Sequence, residues 1–357
     1  MIIPALICAL GLPAGYLLIR RVPTCPSSVS ATGPSLSIII PARNEERNLP
    51  RILRSIAESG AHPEQVLVID DGSNDQTAPL GAALGARVVT SSAKPAGWTG
   101  KSWACLQGAQ LASGDLLLFL DADTYFLPGG LGRIKSCWLR QRDPQLVLSI
   151  LPFHATHAPY EQMSLVFNIL MAAGAGGFGP LAAPQLFGQC LLIPRDLYFQ
   201  AGGHAAVPGV VLENLRWAGN LRTCGARIQC LGGEGALHMR MFPEGFQQMS
   251  ESWAKAFTQG AVDSGPIVLA TSIIGISALW STTLLFLVPH GQGLLALLIV
   301  YLLLGLQIAW MARRLGAYRF LTCFLFPVPL AYFCLVFGRA TARRALGRTT
   351  TWRGREV

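Results

Sequence analysis

The chain has 357 residues, 51% hydrophobic and only 13% charged, with a formal net charge of +9. That balance excludes an ordinary soluble enzyme, and because the basic residues gather beside apolar segments with no aromatic-basic platform for bases, it points to anionic lipid headgroups rather than nucleic acid. Nine cysteines without a CxxC pair, among them Cys8, Cys323 and Cys334 inside apolar runs, read as reduced thiols that act as small hydrophobes.

The first apolar run, residues 1–19, ends at Arg20 and Arg21. No basic residue precedes it and no small-x-small cleavage site follows, so residues 1–21 are expected to be a retained transmembrane anchor rather than a cleaved signal. The positive-inside rule then assigns Arg20 and Arg21 to the cytoplasm, and with them residues 22–263. Residues 22–34, rich in Pro, Ser and Thr, read as a linker. From there strand signals (36–40, 66–69, 87–90, 116–120) alternate with helical ones (46–58, 75–84, 101–111), the pattern of an α/β domain with a mostly parallel sheet and crossover helices. After residue 123 the rhythm loosens into a helix at 131–142, a strand at 146–151 and a helix at 160–173 that runs into a glycine-rich stretch, 174–179. Such a stretch suits a mobile loop or close approach by a ligand. A strand at 186–193, a helix at 213–224 and a strand at 228–231 follow, closing a domain at 35–242. Residues 243–263 are expected to hold an amphipathic helix at the membrane surface.

No Asp, Glu, Lys or Arg occurs from Ser264 to Ala312, enough for two helical crossings of about 20 residues each, divided at Pro289-His290-Gly291-Gln292-Gly293. The run 320–338 is also uncharged. Were it a third crossing, the tail with Arg339, Arg343, Arg344, Arg348, Arg353 and Arg355 would lie outside, against the positive-inside rule. Pro327 and Pro329 interrupt it, and Arg313, Arg314 and Arg319 flank its start. Residues 313–357 are therefore expected to be a re-entrant or membrane-associated segment with a basic cytoplasmic tail.

The most informative motif is Asp121-Ala122-Asp123 at the end of the apolar run 116–120. A strand's period of two points both carboxylates to one face, at the strand end where open α/β sheets bind ligands, and such a pair suits a hard divalent cation. An acidic turn after a strand is the plain alternative. It loses weight because Asp70-Asp71-Gly72-Ser73-Asn74-Asp75 follows a second apolar run and Pro41-Ala42-Arg43-Asn44-Glu45-Glu46 a third. Gly100-Lys101-Ser102 is not a P-loop, since GxxxxGK[ST] needs Gly where Pro95 stands, but a Gly-rich turn that opens a helix is an anion site within reach of Lys101.

These three strand-end clusters, in this order and spacing, resemble the nucleotide-sugar domain of family-two glycosyltransferases over roughly residues 35–260. The resemblance implies a GT-A fold, a UDP-sugar donor, and Mg2+ or Mn2+ as cofactor. It assigns Ala42, Arg43 and Glu45 to the nucleotide pocket, Asp71 to the uracil, Asp70 to bracing the loop, Asp123 to the metal, and Asp121 to the metal through water or to the ribose. The segment Gly97-Trp98-Thr99-Gly100-Lys101, with Tyr160-Glu161-Gln162, Phe167-Asn168 and the terminal Thr351-Trp352-Arg353-Gly354-Arg355, is similar to the branch that glycosylates carotenoid and hopanoid-type lipids. Packing under the sheet is the plain account of Trp98 and Trp103.

One position departs from the family. Where a Glu-Asp pair is usual, this chain has Glu213-Asn214, and an amide cannot take the acceptor's proton, so Glu213 is the candidate catalytic base. Arg240, Trp253 and Lys255 fall where the family places acceptor-side residues, with an interfacial Trp as the duller account of Trp253. His154 and His157 have no partnering Cys/His set and are expected to face solvent or the acceptor. His238 is a weaker candidate for the diphosphate.

The resemblance implies an inverting, metal-dependent transfer of a hexose from a UDP-sugar to a membrane lipid, a carotenoid or related terpenoid; the apolar runs and the positive-inside rule make the expected enzyme a multi-pass protein of the cell membrane with a cytoplasmic catalytic domain. The alternatives are a polyprenyl phosphate or other glycolipid acceptor, and an inactive membrane scaffold, motivated by Asn214. A transporter is disfavoured because the apolar segments lack charges.

Overall fold

The computed structural model of the chain describes residues 2–27, 33–209, 213–263, 265–289, 293–345, 351–352 and 355–356; side chains of 2–7, 213–215, 257–263, 344–345 and the terminal pairs are outside the description. The chain forms two compact bodies. One comprises residues 23–154 and 184–240, the other 1–22, 155–183 and 241–357. Helix α1 (Ile2–Leu18) opens the chain and belongs to the second body.

The first body is built on β1 (Leu36–Ala42), α2 (Leu49–Ala57), β2 (Gln65–Asp70), α3 (Thr77–Ala83), β3 (Arg87–Thr90), α4 (Gly100–Leu111), β4 (Leu116–Leu120), β5 (Thr124–Phe126), α5 (Gly130–Gln141), β6 (Leu146–Leu151) and β7 (Phe153–His154). After α6 (Leu165–Gly174), which lies in the second body, the first resumes with β8 (Cys190–Pro194), α7 (Arg195–Gln200), α8 (Glu213–Thr223), β9 (Arg227–Gly232) and β10 (Leu237–Met239). Seven strands form one sheet in the order β3-β2-β1-β4-β8-β6-β9. It is parallel except at β8, which runs antiparallel to both β4 and β6. Both faces are covered, which explains why the strands read as unbroken apolar runs. Ile38, Ile40, Leu118 and Leu120 pack with Leu49, Ile52 and Ile134 on one face. Ile39, Leu117 and Phe119 pack with Ala104, Cys105, Ala109 and Trp217 on the other. Because β1, β2 and β4 are parallel, their C-terminal ends open on one edge.

Several expectations are revised. The strand expected at 186–193 starts only at Cys190; before it, Phe187 donates its N–H to Ser149 Oγ at 2.6 Å instead of entering a ladder. The helix expected from residue 46 starts at Leu49, since Pro50 fits only the first turn. A small sheet, β5-β10-β7, was not anticipated, its strands being two or three residues long. Part of the linker belongs to the first body: Thr24 bridges Gly232, Pro23 accepts the Gly232 N–H at 2.7 Å, and Cys25 is buried.

The second body contains a 3-10 turn (Pro159–Ser164), α6, α9 (Phe246–Asp263), α10 (Pro266–Leu285), α11 (Leu294–Leu315), α12 (Phe320–Phe324) and α13 (Pro327–Ala345). Among the described residues, α10 and α11 are the helices long and apolar enough to cross a membrane; the apolar part of α1, residues 8–18, is shorter. Helix α1 packs on α10 and α11 through small residues: a Cβ at Gly11 would lie 2.8 Å from Ala278 Cβ and 3.0 Å from Leu304 Cδ2, and Gln307 donates to the Leu12 carbonyl at 2.7 Å. The run 320–338 is interrupted between α12 and α13, just before Pro327. The Tyr160-Glu161-Gln162 motif has an internal task here. Glu161 accepts the Ala158 N–H at 2.8 Å, Gln162 Oε1 accepts from Arg319 N–H at 2.9 Å and from Thr322 Oγ1 at 3.1 Å, and Asn168 donates to the Tyr318 hydroxyl.

Candidate active site

The edge where β1, β2 and β4 end gathers the carboxylates. The Asp71 N–H donates to the Ala42 carbonyl at 2.9 Å, joining the first two strand ends. Beyond it the two loops are laced together: Asn44 N–H to Ser73 Oγ at 2.9 Å, Asn74 N–H to Asn44 Oδ1 at 2.9 Å, and Glu45 N–H to Thr77 Oγ1 at 2.8 Å. Asn44 adopts φ +54°, a left-handed backbone that Asn tolerates. Asp70 is buried and turns into its own loop, accepting the Ser73 N–H at 3.2 Å. Asp71 stays at the rim, its Oδ2 3.8 Å from Arg43 Nη1. It lies against Gly100, where a Cβ would come within 2.1 Å of Asp71 Oδ2, so only glycine admits this approach.

Helix α4 starts at that glycine. Thr99 caps it by accepting the Ser102 N–H at 3.1 Å, and the Thr99 N–H is held by the Pro208 carbonyl at 2.8 Å. The next residue, Lys101, reaches Asp121: its Nζ is 2.5 Å from Asp121 Oδ1 and 3.0 Å from the Gly188 carbonyl. Asp121 is fixed from both sides, donating its N–H to the Gln189 carbonyl at 3.0 Å while its own carbonyl accepts the Thr124 N–H at 3.1 Å and Oγ1 at 2.7 Å.

Asp123 lies deeper. Its Oδ1 is shut off from solvent and has no hydrogen-bond partner. Burial, then the charges of Asp121 and Glu45, push its carboxyl up to about 7, with Lys101 opposing. Glu45 also accepts from Asn48 Nδ2 at 2.8 Å. Asp123, Asp121, Glu45 and Lys101 are thus electrically one cluster, and the enclosed Asp123 oxygen is a donor atom of the hard type that Mg2+ or Mn2+ takes. Among the described residues no group of three or more His, Cys, Asp or Glu side chains forms a ready-made cation cage; Asp121 and Asp123 are the residues that would hold a cation here.

The remaining candidates lie on other elements. Glu213 is the first residue of α8, with its side chain outside the description. Arg240 follows β10 and is half-buried. Trp253 and Lys255 belong to α9 in the other body. Trp253, expected on the acceptor side or as an interfacial Trp, is 1% exposed, stacks on Phe167 at 4.9 Å, and donates Nε1–H to Ser164 Oγ at 3.0 Å. Lys255 is half-buried, which lowers its ammonium pKa.

His154, expected to face solvent or the acceptor, is buried and pushed down to about 3 by desolvation. His157 is exposed. His238 sits in the small sheet between Phe153 and Tyr125, with ring distances of 4.8 and 5.7 Å, and burial lowers its pKa. Trp98 and Trp103 pack edge-on at 5.0 Å in the loop before α4 and its first turns, each partly exposed, rather than under the sheet.

Sequence reasoning missed His204, Tyr198 and the Gly188-Gln189 turn. His204 lines a small cavity with Pro41, Lys101, Cys105, Asp121 and Gly188. Its Nδ1 is 2.9 Å from the Tyr198 hydroxyl, and its ring packs on Phe119 at 5.0 Å and Trp217 at 5.2 Å. Burial and the neighbouring Lys101 charge push it down to about 3, so it is a neutral imidazole.

Residues 37–148, which hold all three strand-end clusters, match the family model described as Glycosyl transferase family 2. A 4,4'-diaponeurosporenoate glycosyltransferase of Staphylococcus haemolyticus is 32% identical over 74% of this chain and 73% of its own length. One of Staphylococcus aureus is 29% identical over 90% of this chain and 88% of its own. Among solved structures, the mannosyltransferase PcManGT of Pyrobaculum calidifontis, in complex with GDP-Man and Mn2+, superposes with a TM-score of 0.58, covering 96% of this chain and 99% of its own at 16% identity, a likeness of fold. The chain belongs to glycosyltransferase family 2 and is an enzyme of that class, on a GT-A-like α/β fold with a mostly parallel sheet.

Proposed function

We propose that the chain transfers a hexose from a UDP-sugar to a membrane lipid, a carotenoid or related terpenoid, with inversion and with a divalent cation at Asp121 and Asp123. The observation that carries the donor half is the meeting of Asp71, Lys101, Asp121 and Asp123 along one sheet edge, with the enclosed and unpartnered Asp123 oxygen among them. The acceptor half rests on the names of the relatives that the chain resembles over most of its length. A bound cation supplies Lewis-acid stabilisation of the departing diphosphate.

The chain's own residues do the rest. Asp71, with Ala42, Arg43 and Glu45 beside it, holds the uracil, and the half-buried Arg43 guanidinium lends positive charge at that rim. Lys101, in the first turn of α4, turns from Asp121 to the diphosphate. Glu213 takes the proton of the acceptor hydroxyl as its oxygen attacks the anomeric carbon; the bond from that carbon to the diphosphate breaks on the opposite face, and the configuration inverts. Arg240 and Lys255 serve the acceptor side.

The topology proposed with this chemistry is a retained anchor in α1, a crossing hairpin of α10 and α11, and a re-entrant or membrane-associated segment in α12 and α13. Residues 22–263 and the tail are cytoplasmic, where UDP-sugars are available. Membranes containing the chain, given radiolabelled UDP-glucose and Mn2+, should accumulate label in the extractable lipid. Asp123→Ala should reduce this roughly a thousandfold; undiminished transfer would refute the site.

A further inference from the structure

Strand β8 runs antiparallel to β4, with Leu120 opposite Cys190 and Phe119 opposite Leu191. Just beyond the end of that ladder the Asp121 N–H donates to the Gln189 carbonyl at 3.0 Å. That bond sets Gln189 beside Asp121, which with Phe119 and Leu191 lines the small cavity that Lys101 and His204 also line. The preceding residue, Gly188, gives its carbonyl to Lys101 at 3.0 Å. The turn is anchored from behind by the Phe187 N–H on Ser149 Oγ.

The Gln189 side-chain oxygen is shut off from solvent and has no hydrogen-bond partner. An enclosed amide oxygen without a donor is costly and calls for a specific explanation. With the donor reading above as its basis, we infer that Gln189 is a specificity-determining residue whose carboxamide hydrogen-bonds a hydroxyl of the hexose being transferred. The chemistry narrows the choice. A carbonyl oxygen needs a hydrogen-bond donor, and the diphosphate beside Asp121 offers only acceptors. The uracil belongs at the other end of the edge, by Asp71. Hexose hydroxyls are donors, and the hexose is bonded to the diphosphate that a cation at Asp121 and Asp123 would hold. The amide can also give an N–H to the same hydroxyl oxygen, so one planar group reads it from both sides.

The test uses the full-length chain in detergent with Mn2+, measuring equilibrium binding of UDP and of the tightest among UDP-glucose, UDP-galactose and UDP-N-acetylglucosamine. In Gln189→Met, close to glutamine in length and apolar, the UDP-sugar should bind about tenfold more weakly while UDP changes by less than about twofold. Among monodeoxy analogues of that sugar, one should bind the wild type about tenfold more weakly than the parent and yet bind Gln189→Met as well as the parent does. Equal weakening of UDP and UDP-sugar would mark a structural role or a ribose contact and overturn the inference, as would no change in either. A wild-type chain that binds no UDP overturns the donor reading itself, an outcome distinct from the others.

Discussion

Asp123 has to hold a charge where its surroundings disfavour one, since burial and two neighbouring carboxylates push it to about 7. A carboxyl raised in the folded state contributes stability that is complete below its unfolded value near 4 and is lost as pH rises through about 7. At pH 8 without added cation, Asp123→Asn should therefore melt no lower than the wild type while transfer falls roughly a thousandfold; a melting temperature several degrees lower would show that Asp123 is structural. His204 has the opposite sign. Its folded value near 3 lies below the unfolded 6.5, so stability holds above about 6.5 and declines on acidification toward 3, by up to ~1.4 kcal/mol per pH unit. Urea midpoints of His204→Gln should fall less steeply over that range than those of the wild type. The strand-end aspartates were legible in the sequence because each follows an unbroken apolar run. The Lys101–Asp121 pair, His204 and Gln189 were not, because chain folding alone brings α4, β4 and the turn before β8 together, and no local pattern encodes that meeting.

Trp253 shows the same limit at the level of one element. A Trp on an amphipathic helix beside apolar segments reads equally as interfacial anchor or acceptor-side residue, and the pattern of α9 does not show that it is buried, stacked on Phe167 and bonded to Ser164. Trp253→Ala should cost about 3–5 kcal/mol of stability through the cavity it leaves. Trp253→Phe, which keeps the ring stack and loses one hydrogen bond, should retain most activity in the lipid-transfer assay. An acceptor KM that rises sharply in Trp253→Phe at unchanged stability would restore the acceptor role. The break before Pro327 was legible, since proline cannot continue the backbone ladder. The short strands β5, β7 and β10 were not, being too brief for any periodicity to register. For α1, Gly11→Val should loosen the packing on α10 and α11, because the first added carbon already meets Ala278 and Leu304. Gly275→Ala, whose new methyl would sit 4.0 Å from Ala14 Cβ, should be tolerated. Detergent thermal stability of the two variants separates these outcomes.

Across the whole molecule, composition alone set the division between a polar-edged sheet domain and an apolar remainder, because uncharged runs of this length have few other uses. The order of strands, with β8 reversed inside an otherwise parallel sheet, is what brings Gly188 and Gln189 beside the DxD motif. The central claim is that this edge loads a sugar onto a membrane lipid. Its most direct test is to express the chain in a host that makes a defined carotenoid carrying a hydroxyl or carboxyl group, supply UDP-sugars, and determine the mass of the extracted pigment. The account predicts a pigment heavier by one hexose unit in cells with the wild-type chain and none in cells with Asp123→Ala. Unmodified pigment in both, with the sugar recovered on a different class of molecule, would contradict it.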